Sequence, residues 1–248
     1  MIFNILKKIP FVSAKIKKLK GLSIYEILKE SINTQNPNII DIGANKGQTI
    51  ENFISLFENP SIYSFEPTPN LFFELQEKYK ENKKVNLYNY ALNNSKGKET
   101  FFVSNFSPTN SLLKPNIELY KEIEASSKVG HTLTNTFRKS LNTIEVSTIR
   151  FDNWYYENLS NNVIDIFKTD TQGNDLEVLM GAEKVLGSIK IIIIECQFQE
   201  FYRGSKPFYK IFEFLYNNGF YLYNIDKNNK SVQIHECDAI FINKIFSN

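Results

Sequence analysis

The chain has 248 residues, 29 Lys and Arg against 27 Asp and Glu, a formal net charge of +2 and 42% hydrophobic residues. That length suits one large domain or two small ones, and its apolar content with near-balanced charge excludes a disordered tail protein and gives no bulk affinity for nucleic acid. Cys196, Cys237, His131 and His235 are the only cysteines and histidines, too few for a disulfide scaffold or a structural zinc site, so a reducing cytoplasm is the expected compartment.

Lys7, Lys8, Lys15, Lys17, Lys18 and Lys20 precede the first acid, Glu26, while Ile9, Val12, Ile16 and Leu19 recur at helical spacing. Lys7, Lys8 and Pro10 interrupt the apolar core a signal peptide needs, and no run approaches the roughly 20 apolar residues of a membrane span. This basic segment suits peripheral contact with an anionic membrane. The plainer reading is a helix packed on the main domain or on a second copy, and a homodimer is expected. A helix over Ser23 to Ile32 follows, ended by the polar stretch Asn33 to Asn38 with its Pro37. The division expected is a basic helical extension over residues 1–36 and a main domain over 37–248.

Strand and helix then alternate. Strands are expected at Asn38–Ile42, Ser61–Phe65 and Val85–Tyr90, with helices at Gly47–Phe57 and Asn70–Tyr79. Glu99–Val103 reads as an added strand. From about 105 to 144 Ser, Thr, Asn and Lys dominate, which predicts a mobile insertion or lid with one short helix near Ile117–Ala125. Beyond it come strands at Glu145–Ile149, Val163–Lys168 and Lys190–Ile194, helices at Asp175–Leu186 and Phe208–Asn217, and a closing pair, Phe220–Asn224 and Ala239–Ile242, around a turn at Asn228. The alternation predicts an α/β fold with a parallel sheet covered on both faces, and the short final connection makes the last pair antiparallel.

The first strand runs into Asp41-Ile42-Gly43-Ala44-Asn45-Lys46-Gly47, where Gly43 and Gly47 frame a tight strand-to-helix turn. The spacing is neither the dinucleotide G-x-G-x-x-G nor a P-loop. Asp41 would repel a pyrophosphate but can hold an ammonium group directly or through water, so a ligand with an adenosine and a cationic amino-acid tail fits best. Glu66, at the tip of the second strand, offers two acceptor oxygens to a ribose diol. Tyr90 and Ala91, at the end of the third strand, are expected beside the adenine, Tyr90 either stacking on it or packing in the core.

These stretches, with Tyr63-Ser64-Phe65-Glu66-Pro67, Asn89-Tyr90-Ala91-Leu92, Ser111-Leu112-Leu113, the run Lys168-Thr169-Asp170-Thr171-Gln172-Gly173-Asn174-Asp175 continuing through Glu177 to Ala182, and Ile193-Ile194-Glu195, resemble the FkbM family of S-adenosylmethionine-dependent methyltransferases. The likeness spans about residues 37 to 243. The family often has Glu where Gln172 and Asp175 stand. The resemblance implies a Rossmann-like class I methyltransferase fold, a mostly parallel seven-stranded sheet with a C-terminal antiparallel hairpin. It also implies transfer of a methyl group from S-adenosyl-L-methionine to a hydroxyl, usually of a sugar, glycan or polyketide. Carried over by position, Asp41, Gly43, Asn45, Gly47 and Glu66 hold the cofactor, and Asp170 faces the transferred methyl.

An alcohol needs a base as it attacks, and Asp170 and Glu195, on adjacent strand ends, are the candidates. Two neighbouring carboxylates raise one another's pKa. The same pair suits a hard divalent cation such as Mg2+, or Glu195 simply pairs with Lys168 or Arg203. Gln172, Tyr202 and Arg203 are expected on the acceptor side, Arg203 with Lys206 reading an anionic acceptor such as a sugar nucleotide or glycan precursor. His131 and His235 are further base candidates, solvated turn positions being the plainer reading. Other metabolites, a lipid headgroup, or a non-catalytic binding module on the same fold are the alternatives.

Overall fold

The computed structural model describes residues 23–126, 132–160, 162–226 and 235–247. The basic segment, His131 and the turn at Asn228 lie outside them. The chain divides into two compact units, Met1–Thr34 and Gln35–Asn248. In the first, helix α1 (Ile24–Ser31) opens with a capping box: Ser23 and Glu26 satisfy each other's backbone N–H, the Ser23 N–H donating to Glu26 at 2.8 Å.

The second unit is built on a seven-stranded sheet. Strands β1 (Asn38–Ile42), β2 (Ser61–Phe65) and β3 (Val85–Tyr88) are linked by helices α2 (Gln48–Leu56) and α3 (Pro69–Tyr79). Strand β4 (Ala91–Leu92) leaves this sheet and joins a second one with β5 (Gly97–Val103) and β6 (Asn142–Ile149). Helices α4 (Ile117–Ser126) and α5 (Thr132–Ser140) lie between β5 and β6, and α6 (Phe151–Asn158) follows. The chain returns through β7 (Ile164–Thr169), α7 (Asp175–Gly181), β8 (Ile189–Gln197), α8 (Phe208–Asn217), β9 (Phe220–Asp226) and β10 (Glu236–Asn243).

The large sheet runs β3-β2-β1-β7-β8-β10-β9; its first five strands are parallel and β10 is antiparallel to both neighbours. This is the class I methyltransferase arrangement. Burial follows the pattern of apolar runs: β1, β7 and β8 are covered on both faces because they sit centrally, so Ile39, Ile40, Ile192 and Ile194 are fully buried. Strand order reverses between β1 and β7, and a crevice opens beyond their C-terminal ends, where sheets of this kind take ligands.

Two differences from the sequence reading bear on the site. The third strand stops at Tyr88, freeing Tyr90 and Ala91 to line the crevice. The polar stretch expected as a mobile insertion is largely helical in its described part. Tyr120 of α4 and Phe137 of α5 pack with Phe201 and Tyr202 from the loop after β8, and Glu124 accepts from the Leu133 and Thr134 N–H groups at the start of α5.

Candidate active site

The crevice is a cavity of about 780 Å³, within the roughly 300–1,000 Å³ of small-molecule sites. One wall comes from the first-strand loop and Glu66, the floor from the ends of β7 and β8, and the other wall from α4 and the start of β10.

Gly43 has φ +84°, and a Cβ there would stand 2.1 Å from the Asp170 carbonyl oxygen. A side chain at 43 would push apart the two strand ends that form the site. Asn45 also lines the cavity at positive φ (49°); its N–H donates to Glu66 Oε2 at 2.8 Å, and its Oδ1 accepts from Ser107 Oγ at 2.9 Å. The Thr68 N–H donates to Glu66 Oε1 at 2.8 Å. Each Glu66 oxygen thus has one protein donor and retains a lone pair. Burial pushes the Glu66 carboxyl above the usual range, the Thr68 and Asn45 donors opposing it. Tyr90 is 38% exposed and lines the cavity beside buried Ala91, which assigns the ring to the crevice and not to the core.

Asp41 and Gly47 are not in the cavity lining. Gly47 is the left-handed N-cap of α2, and a Cβ there would meet the Tyr79 hydroxyl at 2.8 Å on the far side of the loop. Gly47 thus packs against α3 in this structure. Asp41 is fully buried beneath the cavity, with Oδ2 accepting from Ser64 Oγ at 3.2 Å. Its Oδ1 is buried and without a hydrogen-bond partner among the described residues. Burial raises the Asp41 pKa, with Lys168, opposite it in the β1–β7 register, working the other way.

The strand ends bring Asp170, Gln172 and Glu195 together. Gln172 Nε2 donates to Asp170 Oδ1 at 3.0 Å and to Glu195 Oε1 and Oε2 at 3.1 and 3.0 Å, so one amide bridges both carboxylates. Lys168 Nζ donates to Asp170 Oδ2 at 3.3 Å. Burial works against the Lys168 ammonium, yet Asp170, Asp41 and Asp238 hold its pKa above the ordinary lysine value. Burial, followed by the charges of Asp170, Asp175, Glu236 and Asp238, pushes the Glu195 carboxyl well above the usual range. Lys168 thus pairs with Asp170, not with Glu195. Asp175 orders the loop from below: it accepts from Thr169 Oγ1 at 2.7 Å and from the Thr171 N–H at 3.0 Å, and burial raises its pKa to about 6.

Two residues expected on the acceptor side stand outside the cavity lining. Tyr202 is completely buried, its hydroxyl donating to Gln172 Oε1 at 2.8 Å, so it orients the bridge and does not touch the cavity. Arg203 pairs with Glu118 at 2.9 Å on the surface, because the backbone of this loop is tied to the stretch before α4 by an Arg203 N–H to Lys114 carbonyl bond and a bridge between Pro115 and Tyr202. Lys206 is likewise outside the lining. His235 does line the cavity. Among the described residues no group of three or more His, Cys, Asp or Glu side chains is arranged to hold a metal ion, which removes support for Mg2+. Sequence reasoning missed Glu236, Tyr120 and Phe201, all in the lining. Glu236 had no sequence signal, since only the antiparallel pairing of β10 beside β8 carries it to the site.

A family model described as the methyltransferase FkbM domain matches residues 41–222. The 2-O-methyltransferase NoeI of Sinorhizobium fredii is 25% identical over 203 residues, covering 80% of this chain and 79% of NoeI. The crystal structure of methyltransferase FkbM from Methylobacillus flagellatus KT superposes with a TM-score of 0.54 at 10% identity, over 85% of this chain and 44% of that one. This chain spans less than half of that solved chain, and at such identity the likeness speaks to the fold alone. The matched stretch begins at Asp41 and takes in Glu66, the Lys168–Asp175 run and Glu195, so the protein belongs to the FkbM methyltransferase domain family.

Proposed function

We propose that this protein is an S-adenosylmethionine-dependent O-methyltransferase acting on a hydroxyl of a sugar. The observation that carries the reading is the Asp170–Gln172–Glu195 bridge, set on strand ends in the same cavity as Glu66. When bound, S-adenosylmethionine supplies a methyl group activated for transfer by its sulfonium. The residues present fit it: Glu66 keeps a lone pair on each oxygen for a ribose diol, Tyr90 offers a ring face, and Asp41 Oδ1 is an unfilled acceptor beneath the loop.

Asp170 is ion-paired with Lys168 as well as bonded to Gln172, and we assign it the orienting role. Glu195, whose oxygens accept only from neutral amides among the described residues, is assigned as the proton acceptor for the attacking hydroxyl, and burial with neighbouring like charges raises its carboxyl above the usual range. Tyr202 holds the Gln172 amide in the donor orientation both carboxylates need. Phe106, Leu112, Tyr120 and Phe201 line the remaining wall and exclude water from the reacting atoms. The likeness to a 2-O-methyltransferase supports oxygen as the methylated atom.

Calorimetric titration tests the reading, with S-adenosylmethionine and S-adenosylhomocysteine as ligands and NADH as control. Binding of the first two, lost in Glu66→Ala, is expected. Binding of neither, on folded protein, would overturn it.

A further inference from the structure

The charge lining the cavity selects the acceptor. Among the described residues five carboxylates, Glu66, Glu124, Asp170, Glu195 and Glu236, line it against one ammonium, Lys168. That ammonium is already paired with Asp170. Arg203 and Lys206, the cations expected to read an anion, stand outside, and Arg203 is neutralised by Glu118. No described cation therefore faces a phosphate or carboxylate brought to Glu195.

The cavity lining also carries aromatic side chains. Tyr120 and Phe201 lie with ring centroids 5.2 Å apart, and His235 stands edge-on to Phe201 at 6.1 Å. The His235 Nδ1 is buried and unpartnered among the described residues, a ring nitrogen able to exchange a hydrogen bond with a hydroxyl. Apolar ring faces with a few convergent polar groups are what a polyhydroxylated ligand requires. The carboxylates of Glu124 and Glu236 in the same lining add negative potential, which favours an ammonium group and repels an anion.

We propose that the acceptor ring bound beside Glu195 and Glu236 is an uncharged or amino-substituted sugar, and that sugar phosphates, nucleotide sugars and uronic acids are disfavoured. This rests on the methyltransferase reading above, and it narrows that reading by charge.

The test is saturation-transfer NMR on the full chain loaded with S-adenosylhomocysteine, with methyl glucoside, methyl glucosaminide, glucose 1-phosphate and methyl glucuronide as probes. The two uncharged or cationic glycosides are expected to bind, the glucosaminide more tightly, and the two anions at least about tenfold more weakly. Glu236→Lys is expected to narrow or reverse that order, with Glu236→Gln intermediate. An anionic sugar that binds wild type as well as methyl glucoside does, no signal from any sugar on protein that binds S-adenosylhomocysteine, or an order unmoved by Glu236→Lys would each overturn the assignment. Failure of S-adenosylhomocysteine itself to bind would instead overturn the methyltransferase reading, and this assignment with it.

Discussion

Gln172→Met tests the central claim that one neutral amide holds two acids together. Methionine has nearly the length of glutamine and the same Cβ, so the positive φ of 57° at this position costs both residues alike. What disappears is the Nε2 donor, 3.0 Å from Asp170 and 3.0–3.1 Å from both Glu195 oxygens. A hydrogen bond to a charged group contributes about 1.5–3 kcal/mol. The Asp170 side chain is 36% exposed and regains water, so the buried Glu195 bond dominates, and a total loss of about 2–4 kcal/mol is expected. The Tyr202 hydroxyl retains the Thr109 carbonyl at 3.3 Å and adds little to the loss. For a chain of this size the loss corresponds to a fall in Tm of roughly 4–16 °C.

The pH dependence of that loss separates it from a packing defect. Glu195 has a folded pKa raised above its unfolded value, so its protonated form favours the folded state. Stability linked to it is fully present below the ordinary carboxylate range and is lost as pH rises toward the folded value. The missing amide favoured the charged form, so the cost of Gln172→Met should rise with pH as Glu195 ionises. Trp154, the single tryptophan, packed among Tyr63, Phe65, Tyr88 and Phe151, reports urea unfolding across a pH series. A cost under about 0.5 kcal/mol, or one that does not change with pH, would refute the bridge.

Glu195→Gln should lower kcat by about 10²–10⁴-fold; unchanged turnover would remove Glu195 as the base. Lys168→Met leaves Asp41 and Asp170 without their shared cation and should cost about 3–5 kcal/mol at pH 8, less on acidification as Asp41 takes up a proton, both read by denaturant titration. Gly43→Ala forces a left-handed alanine against the Asp170 carbonyl and should cost about 2–4 kcal/mol together with S-adenosylhomocysteine affinity, measured by calorimetry. Arg203→Ala should leave the KM for acceptor within about twofold, since its partner is a surface glutamate; a large rise would show that the loop turns inward during turnover.

The order of the main elements was legible because each central strand is a short apolar run and each connection has turn chemistry at its ends. Ser61–Phe65 and Phe208–Asn217 fall where the periodicity places them. Helix α6 has no comparable signal: its buried residues Phe151, Trp154 and Tyr155 are interleaved with Asp, Asn and Glu, and it is pinned by the bidentate Arg150–Asp152 pair and by Arg150 bonds to the Asn94 and Met180 carbonyls. Helix α5 hides in polar composition because its N-terminus is satisfied by Glu124, a partner 9 and 10 residues away in sequence from the two N–H groups it accepts. At the site, Asp170, Gln172 and Glu195 could be read from the sequence because strand ends fix where they stand. Tyr202 and Arg203 were misread, since nothing local in the loop after β8 shows that it folds back onto α4.

The charges of the site form two layers with different work. Lys168, in the cavity lining, lies between Asp41 on β1 and Asp170 at the end of β7, so that the two carboxylates share one cation. Glu195 sits one strand further on, facing Asp238 across the β8–β10 pair, and has an amide where Asp170 has an ammonium. The neutral bridge lets Glu195 feel the negative charge of Asp170 while still receiving a donor, the setting in which we propose that it accepts the proton. A glutamate in place of Gln172 would put a third carboxylate about 3 Å from the other two and require a proton or a cation to hold it there. Glutamine at this position therefore provides by hydrogen bonding what a cation would otherwise have to supply.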